Sequence, residues 1–292
     1  MITFFRSKNK SEIFFDEDLE RARLPDDYVS IRTSPAFLSG FFGEHRRELL
    51  SQGSVPGVRY FWWIFAIEYY TGDKEPVLAP YKGIRFAVWD RVKSAEKPQH
   101  WYEPRIGGTI APHAIVPLAS ETYWDTWSHG TKNHRTRLYA QSEYQIITSD
   151  IDTFLIHFKQ HARPRYTVAP CNKMLIRQKK EYGDGMQFFL LQNTVTNIIS
   201  AGIAVADYPD VGQAYYVASF YAREHIPRQA GVWLLNTWFM ECKKKGMLYA
   251  NLGTIYAPGQ PKSWKGFSQF KMNFNPYIIT CRKPLVRITT TF

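Results

Sequence analysis

The chain has 292 residues, 45% hydrophobic and 22% charged, a globular composition that excludes a disordered or fibrous protein. Its three cysteines, Cys171, Cys242 and Cys281, show neither CxxC nor zinc-ligand spacing, which weighs against a disulfide scaffold or a structural metal. The formal charge is +11, and residues 211–292 hold eleven basic against two acidic side chains, a field that would attract nucleic acid, coenzyme A or an anionic membrane surface, or be only a solvated basic face.

Residues 1–28 read as a polar arm carrying the run Asp16-Glu-Asp-Leu-Glu-Arg-Ala-Arg23. The first ten residues lack the apolar run of a signal peptide, and the longest aromatic-aliphatic stretch, 60–67, falls well short of the ~20 residues of a span. A cytoplasmic protein without membrane insertion is expected. A strand is predicted near 28–32, a helical stretch near 34–51, and a turn at 53–57. Strand-like runs follow at 58–70 and 84–92, either side of the loop 72–83. The Gly- and Pro-rich stretch 104–119 reads as loop plus a short strand, and 120–140 as a basic helix that Gly130 interrupts.

The second half is more sharply punctuated. After a strand at 144–148, Ser149-Asp150 caps a helix over 151–162, whose Ile151, Phe154, Leu155 and Phe158 fall on one face. A second helix covers 171–182. Strands at 186–192 and 198–207 flank the hairpin signal Asn193-Thr-Val-Thr-Asn197. The turn Pro209-Asp-Val-Gly212 leads to a strand at 214–220. The helix 231–245 buries Val232, Leu235, Trp238 or Phe239, and Cys242. It ends on Lys243-Lys-Lys245 with Gly246 in the C′ position. A strand at 247–252, a short helix at 265–273 and strands at 277–281 and 284–290 complete the chain.

Three segments carry candidate chemistry. The first is Lys265-Gly-Phe-Ser-Gln-Phe-Lys-Met-Asn-Phe274, shortly after Tyr249-Ala-Asn-Leu-Gly253. Acyl transfer to an amine passes through an oxyanion, and an ammonium held in a water-poor site would stabilise it, a role open to Lys271. The plain alternative is an amphipathic helix with Phe267, Phe270 and Phe274 in the core and Lys271 in solvent. The second is Arg228-Gln-Ala-Gly231, where a helix start could cradle a phosphate; the alternative is an ordinary helix start. The third is Ser128-His-Gly-Thr-Lys-Asn-His-Arg-Thr-Arg137. Its Lys132, Arg135 and Arg137 suit an anionic substrate, and Trp124, Trp127 and Tyr139 beside it could stack on bases or pack a core. His129 and His134 could act as bases, though a lone histidine is more often structural. Asp207 and Glu224, at strand and loop ends, are positional candidates for deprotonating an amine. Tyr256 and Lys265 are candidate substrate contacts.

The element order of the second half, with the 265–274 segment and the Asn251-Leu-Gly253 turn, resembles the GNAT-like acyltransferases, closest to the Fem-type aminoacyl transferases. The resemblance rests on Lys265, Gly266, Phe270, Lys271 and Phe274. Asn275-Pro276 stands where the family usually has Gly-Gly. Arg228 and Gly231 match the coenzyme A turn of GNAT enzymes, with Trp233 where Gly or Ala is usual. Lys132, Arg135 and Leu138 resemble a basic segment of Fem-like proteins. The resemblance implies an α/β fold with a GNAT-like mixed sheet flanked by helices, in two lobes, 1–142 and 143–292, the first a degenerate copy. It implies Lys271, next to Phe270, at the oxyanion, and Arg228, Gln229 and Gly231 on donor phosphate. The expected donor is aminoacyl-tRNA, with acyl coenzyme A second and no resident cofactor or metal. The acceptor would be a small-molecule or peptide amine, such as a peptidoglycan-type precursor. A non-catalytic RNA-binding module and an N-acyltransferase using acyl thioesters are the rival readings.

Overall fold

The computed structural model describes residues 31, 34, 37, 47–50, 55, 57–62, 64–72, 74–78, 80–91, 97–103, 112–137, 143–163, 165–224, 226–227, 229–256, 262–279 and 284–291. The expected arm 1–28 and the strand near 28–32 lie almost wholly outside them, as do Tyr139, Arg228 and Cys281.

Twelve strands of the described residues form two mixed sheets. The first contains β1 (Arg47–Leu50), β2 (Gly57–Trp62), β3 (Phe65–Thr71), β4 (Gly83–Asp90) and β12 (Leu285–Thr291), in the order β1-β2-β3-β4-β12. The stretch predicted as helical over 34–51 therefore ends in a strand. The run 58–70 is not one strand but a hairpin, in which Trp62 pairs with Phe65. Strands β3 and β4 are parallel and stay in register throughout.

The second sheet contains β5 (His113–Pro117), β6 (Tyr144–Ser149), β7 (Met186–Asn193), β8 (Ile199–Tyr208), β9 (Gln213–Tyr221), β10 (Tyr249–Thr254) and β11 (Tyr277–Ile279). Its order is β11-β5-β10-β9-β8-β7-β6. Thus β5, from the first half of the chain, inserts between β11 and β10, while the final strand β12 returns to the first sheet. A cut at 142/143 does not separate the two sheets.

Helices cover both faces of the second sheet. On one side lie α2 (Ile151–His161) and α3 (Val168–Tyr182). Asp150 caps α2 as expected, its carboxylate accepting from the Thr153 amide at 2.8 Å. Phe154, Phe158 and Leu175 then pack with Phe188 and Phe220 of the sheet. On the other side lies α4 (Ala230–Lys244). The predicted stripe Val232, Leu235, Trp238, Phe239 and Cys242 is buried, and so are Trp233 and Leu234; α1 (His129–Arg137) packs against α4. Helix α1 starts only at His129 and runs through Gly130, which does not break it. Gly246 ends α4 with φ +73, the left-handed conformation that glycine adopts without strain.

The last helix, α5 (Trp264–Met272), is joined to this side of the sheet by Phe274, which packs edge-on against Trp127, Phe239 and Phe270. Asn275, in the place of the expected glycine, has φ +46. Asparagine tolerates that region better than other side chains, so the turn survives the replacement. No helix among the described residues is long and apolar enough to cross a membrane.

Candidate active site

Parallel strands β9 and β10 pair only through Gln213–Tyr215 and Tyr249–Asn251. Beyond that point β9 runs on to Tyr221 and β10 to Thr254 without pairing to each other, which opens the middle of the sheet. Two irregularities accompany the split. One is a bulge in β9, where Ala204 and Val205 of β8 face Ala218 and Tyr216. The other is a register shift in β10 between Asn251 and Thr254. There the Asn251 side chain accepts from the Gly253 amide at 2.8 Å, and Gly253 takes φ +75. Bulges re-aim side chains and end pairing, and here they turn both strands aside at one level.

Helix α5 lies at the end of β10. Ser268, fully buried, donates to the Trp264 carbonyl at 2.7 Å and accepts from the Tyr256 amide at 2.6 Å. Lys271 reaches the last residue of β10, donating from Nζ to the Thr254 carbonyl at 2.7 Å. Its ammonium also lies 4.8 Å from the centroid of Phe267 and 5.9 Å from that of Tyr216 in β9. Lys271 therefore bridges toward both strands where they part, and the solvent-facing alternative does not hold: the residue is 9% exposed. No carboxylate among the described residues pairs with it, and burial alone lowers its pKa to about 7. Phe267, placed in the core by the sequence pattern, is instead partly exposed.

Beside it lies a hydroxyl cluster that the sequence did not single out. Tyr216, Ser219 and Tyr221 are hydrogen-bonded through their side chains, and burial raises the pKa of both tyrosines. The only sequence signal for them is the high aromatic density of β9, which core packing explains equally well. Tyr221 also lies against the start of α4. A Cβ on Gly231 would fall 2.8 Å from the Phe270 ring and 3.3 Å from the Tyr221 hydroxyl.

That contact changes the role expected for the Gly231 turn. Phe270 occupies the space above the glycine. The amides of Ala230, Val232 and Trp233 are already bonded, to the carbonyl of Pro227 at 3.0 Å and to that of Gln229 at 2.9 and 3.1 Å. A phosphate cradle needs such amides open to the ligand; three of those at this turn are occupied within the chain, and the Phe270 ring lies over Gly231. Trp233 does not crowd the turn either. It is fully buried, and its indole donates to the His134 carbonyl at 2.8 Å, fastening α1 to α4.

The remaining candidates are dispersed. Asp207 pairs with Lys245 just past the far end of α4, about 20 Å along the helix axis from Gly231 by the rise per residue. Burial raises its pKa while Lys245 opposes the rise. Glu224 is exposed in the turn after β9. Lys132 donates to the Asp125 carbonyl at 2.7 Å, and the Arg135 guanidinium stacks 3.8 Å over Trp124. Arg137 is exposed. Trp127 is a core residue. His129 is exposed and bonded to Asn133. Lys265 lies 5.2 Å over the Tyr256 ring, so those two candidates meet each other at the rim formed by α5.

The fold is similar to that of FemX and of two further solved proteins. No family model and no curated sequence matches the chain, so the likeness is one of structure. FemX superposes with a TM-score of 0.59 at 9% identity, over 84% of this chain and 88% of that one. The C-terminal domain of a protein described as a lysylphosphatidylglycerol synthetase, from Agrobacterium fabrum, gives 0.54 at 13% identity, over 92% and 91%. L-PGS from Bacillus licheniformis gives 0.50 at 13%, over 83% and 84%.

Proposed function

We propose that this protein is an acyltransferase that moves an aminoacyl or acyl group onto a primary amine, with Lys271 beside the reacting carbonyl. The observation that carries the reading is the burial of Lys271, without a carboxylate, where β9 and β10 part. An ammonium in such a place is costly until an anion reaches it. The carbonyl oxygen of an ester under attack becomes that anion, so the stabilisation is greatest in the transition state. The free amine attacks the ester carbonyl and the C–N bond forms. The C–O bond to the donor then breaks, and the amine proton ends on the released hydroxyl.

Aminoacyl-tRNA is the preferred donor and acyl coenzyme A the second. The closed amides at the start of α4 weigh against a pyrophosphate there, and the net +9 of residues 211–292 suits a polyanion. The acceptor is a small-molecule or peptide amine, with a peptidoglycan-type precursor as the first to try. The protein belongs in the cytoplasm on this reading, where charged tRNA is found.

The test is transfer of labelled amino acid from a panel of charged tRNAs to a set of amine acceptors, with phosphatidylglycerol vesicles as a separate arm. The expected result is amide formation that Lys271→Met abolishes while the circular dichroism spectrum is kept. Transfer from acetyl coenzyme A alone would reassign the donor. Salt-sensitive RNA binding, with no transfer to any acceptor and no effect of Lys271→Met, would make the protein a binding module instead.

A further inference from the structure

Strand β12 closes one side of the first sheet and leaves part of its own outer edge open. Toward the sheet it pairs with β4 from Leu285 opposite Trp89 to Thr291 opposite Gly83, without a bulge. On the outer side Val286 exchanges two hydrogen bonds with Tyr102, at 2.9 and 2.8 Å. Backbone polar groups alternate in direction along an antiparallel strand, so those of Ile288 and Thr290 also point away from β4. No backbone hydrogen bond among the described residues reaches them. Natural edges are usually guarded by lysine, proline or a bulge. The stretch Ile288-Thr-Thr-Thr291 has none of these.

The side chains beside this edge are apolar. Ile67 pairs with Phe86 and Phe86 with Ile288, so the three form a row that runs out to the edge. They are 45%, 37% and 61% exposed. The next row on that face, Phe65, Ile84 and Thr290, is likewise uncharged. Glu68, Arg85 and Arg287 belong to the opposite face by the alternation of the strands. A contiguous exposed apolar surface of this kind marks an interface.

We infer that β12 pairs antiparallel with β12 of a second copy of this chain, about a two-fold axis at Thr289, joining the two first sheets into one. In that register Ile288 exchanges hydrogen bonds with the partner's Thr290, which matches the two residues whose backbone groups are open. The row of Ile67, Phe86 and Ile288 then continues through the partner's Thr290 to the partner's Ile84. Arg287 falls opposite the partner's Thr291, so no like charges meet. Tyr102 occupies Val286 and ends the pairing there, which keeps the contact short. Uncharged rows offer no complement to a polyanion or an acidic peptide, whereas a second copy needs none. A two-fold contact is also self-complementary and closes after two copies. The inference is independent of the transfer reaction proposed at Lys271.

Sedimentation velocity of the full chain over a range of concentrations tests this. A reversible dimer is expected. Ile288→Lys puts a charge on the edge, and Thr290→Pro removes an amide that points away from β4, so each leaves the pairing with β4 in place. Each should weaken the dimer by roughly tenfold or more while the circular dichroism spectrum is kept. Thr289→Cys reads the register. Opposed residues of a non-hydrogen-bonded pair have Cα atoms about 4.5 Å apart, within disulfide range. Mild oxidation should therefore cross-link Thr289→Cys, but not Gln160→Cys on the exposed side of α2. The inference is overturned if the chain is monomeric at every concentration, if both edge variants dimerise as tightly as the parent, or if Thr289→Cys does not cross-link. A monomer that floats with phosphatidylcholine vesicles would assign the apolar rows to a lipid surface and overturn it as well.

Discussion

Lys271 Nζ and the Thr254 carbonyl are 2.7 Å apart, and this one hydrogen bond fixes the ammonium to the last residue of β10. With a pKa lowered to about 7 by burial, the free protein holds a mixture of ammonium and amine near neutrality. If the charged form stabilises the oxyanion, kcat/KM carries a limb that falls as pH rises through about 7. Lys271→Arg, which stays charged at all accessible pH, should lose that limb even if its overall rate is lower. A pH–rate profile of both proteins reads this directly, and an unchanged limb in the arginine variant would assign it to another group.

The same burial has a stability consequence. The folded pKa is depressed from 10.5 to about 7, so the penalty for the charged form is fully present below pH 7. It declines as pH rises toward 10.5, because the unfolded chain then binds a proton that the folded one lacks. A shift of this size corresponds to on the order of 5 kcal/mol at 1.36 kcal/mol per unit. Lys271→Met, losing the hydrogen bond but also the buried charge, should stabilise the protein by about 1–3 kcal/mol at pH 6. The gain should be smaller at pH 9. Denaturant midpoints at the two values measure it; a destabilised variant at pH 6 would contradict the burial argument.

Gly231→Ala places a methyl 2.8 Å from the Phe270 ring. Phe270 precedes Lys271, so the ring cannot retreat without moving the ammonium. The variant should lose about 1–3 kcal/mol from overpacking and lose kcat more than it raises KM. Replacing Phe270 by Leu in the same protein should restore most of the stability. A phosphate-binding role for the turn would instead show as a rise in KM for the donor alone.

Asp207→Asn separates catalysis from structure. The carboxylate is occupied by Lys245, so transfer activity should change by less than about threefold, while stability falls by about 1–2 kcal/mol. Thermal melts beside initial rates decide between this and a general-base role, which would lower the rate by on the order of a hundredfold or more.

Much of the second half of the chain could be read from local pattern. The Asp150 cap, the apolar face of α2, the stripe of α4 and the Gly246 stop are short-range features written within a few residues, and each appears where periodicity and capping place it. In the first half, propensity misled. The stretch 34–51 looked helical, yet Arg47–Leu50 is an edge strand made by pairing with β2. The turn that divides 58–70 carries no glycine or proline signal.

By itself, the sequence determined the elements of the second half and the segment holding Lys271, because caps, periodicity and a short motif depend on neighbours along the chain. Only the tertiary structure decided that β5 and β12 cross between the sheets, and that β9 and β10 part after three residues. It also decided that Phe270 sits on Gly231 and that Asp207 pairs with Lys245 past the end of α4. Those are contacts between residues far apart in the chain, set by which faces pack together, and no local pattern encodes them.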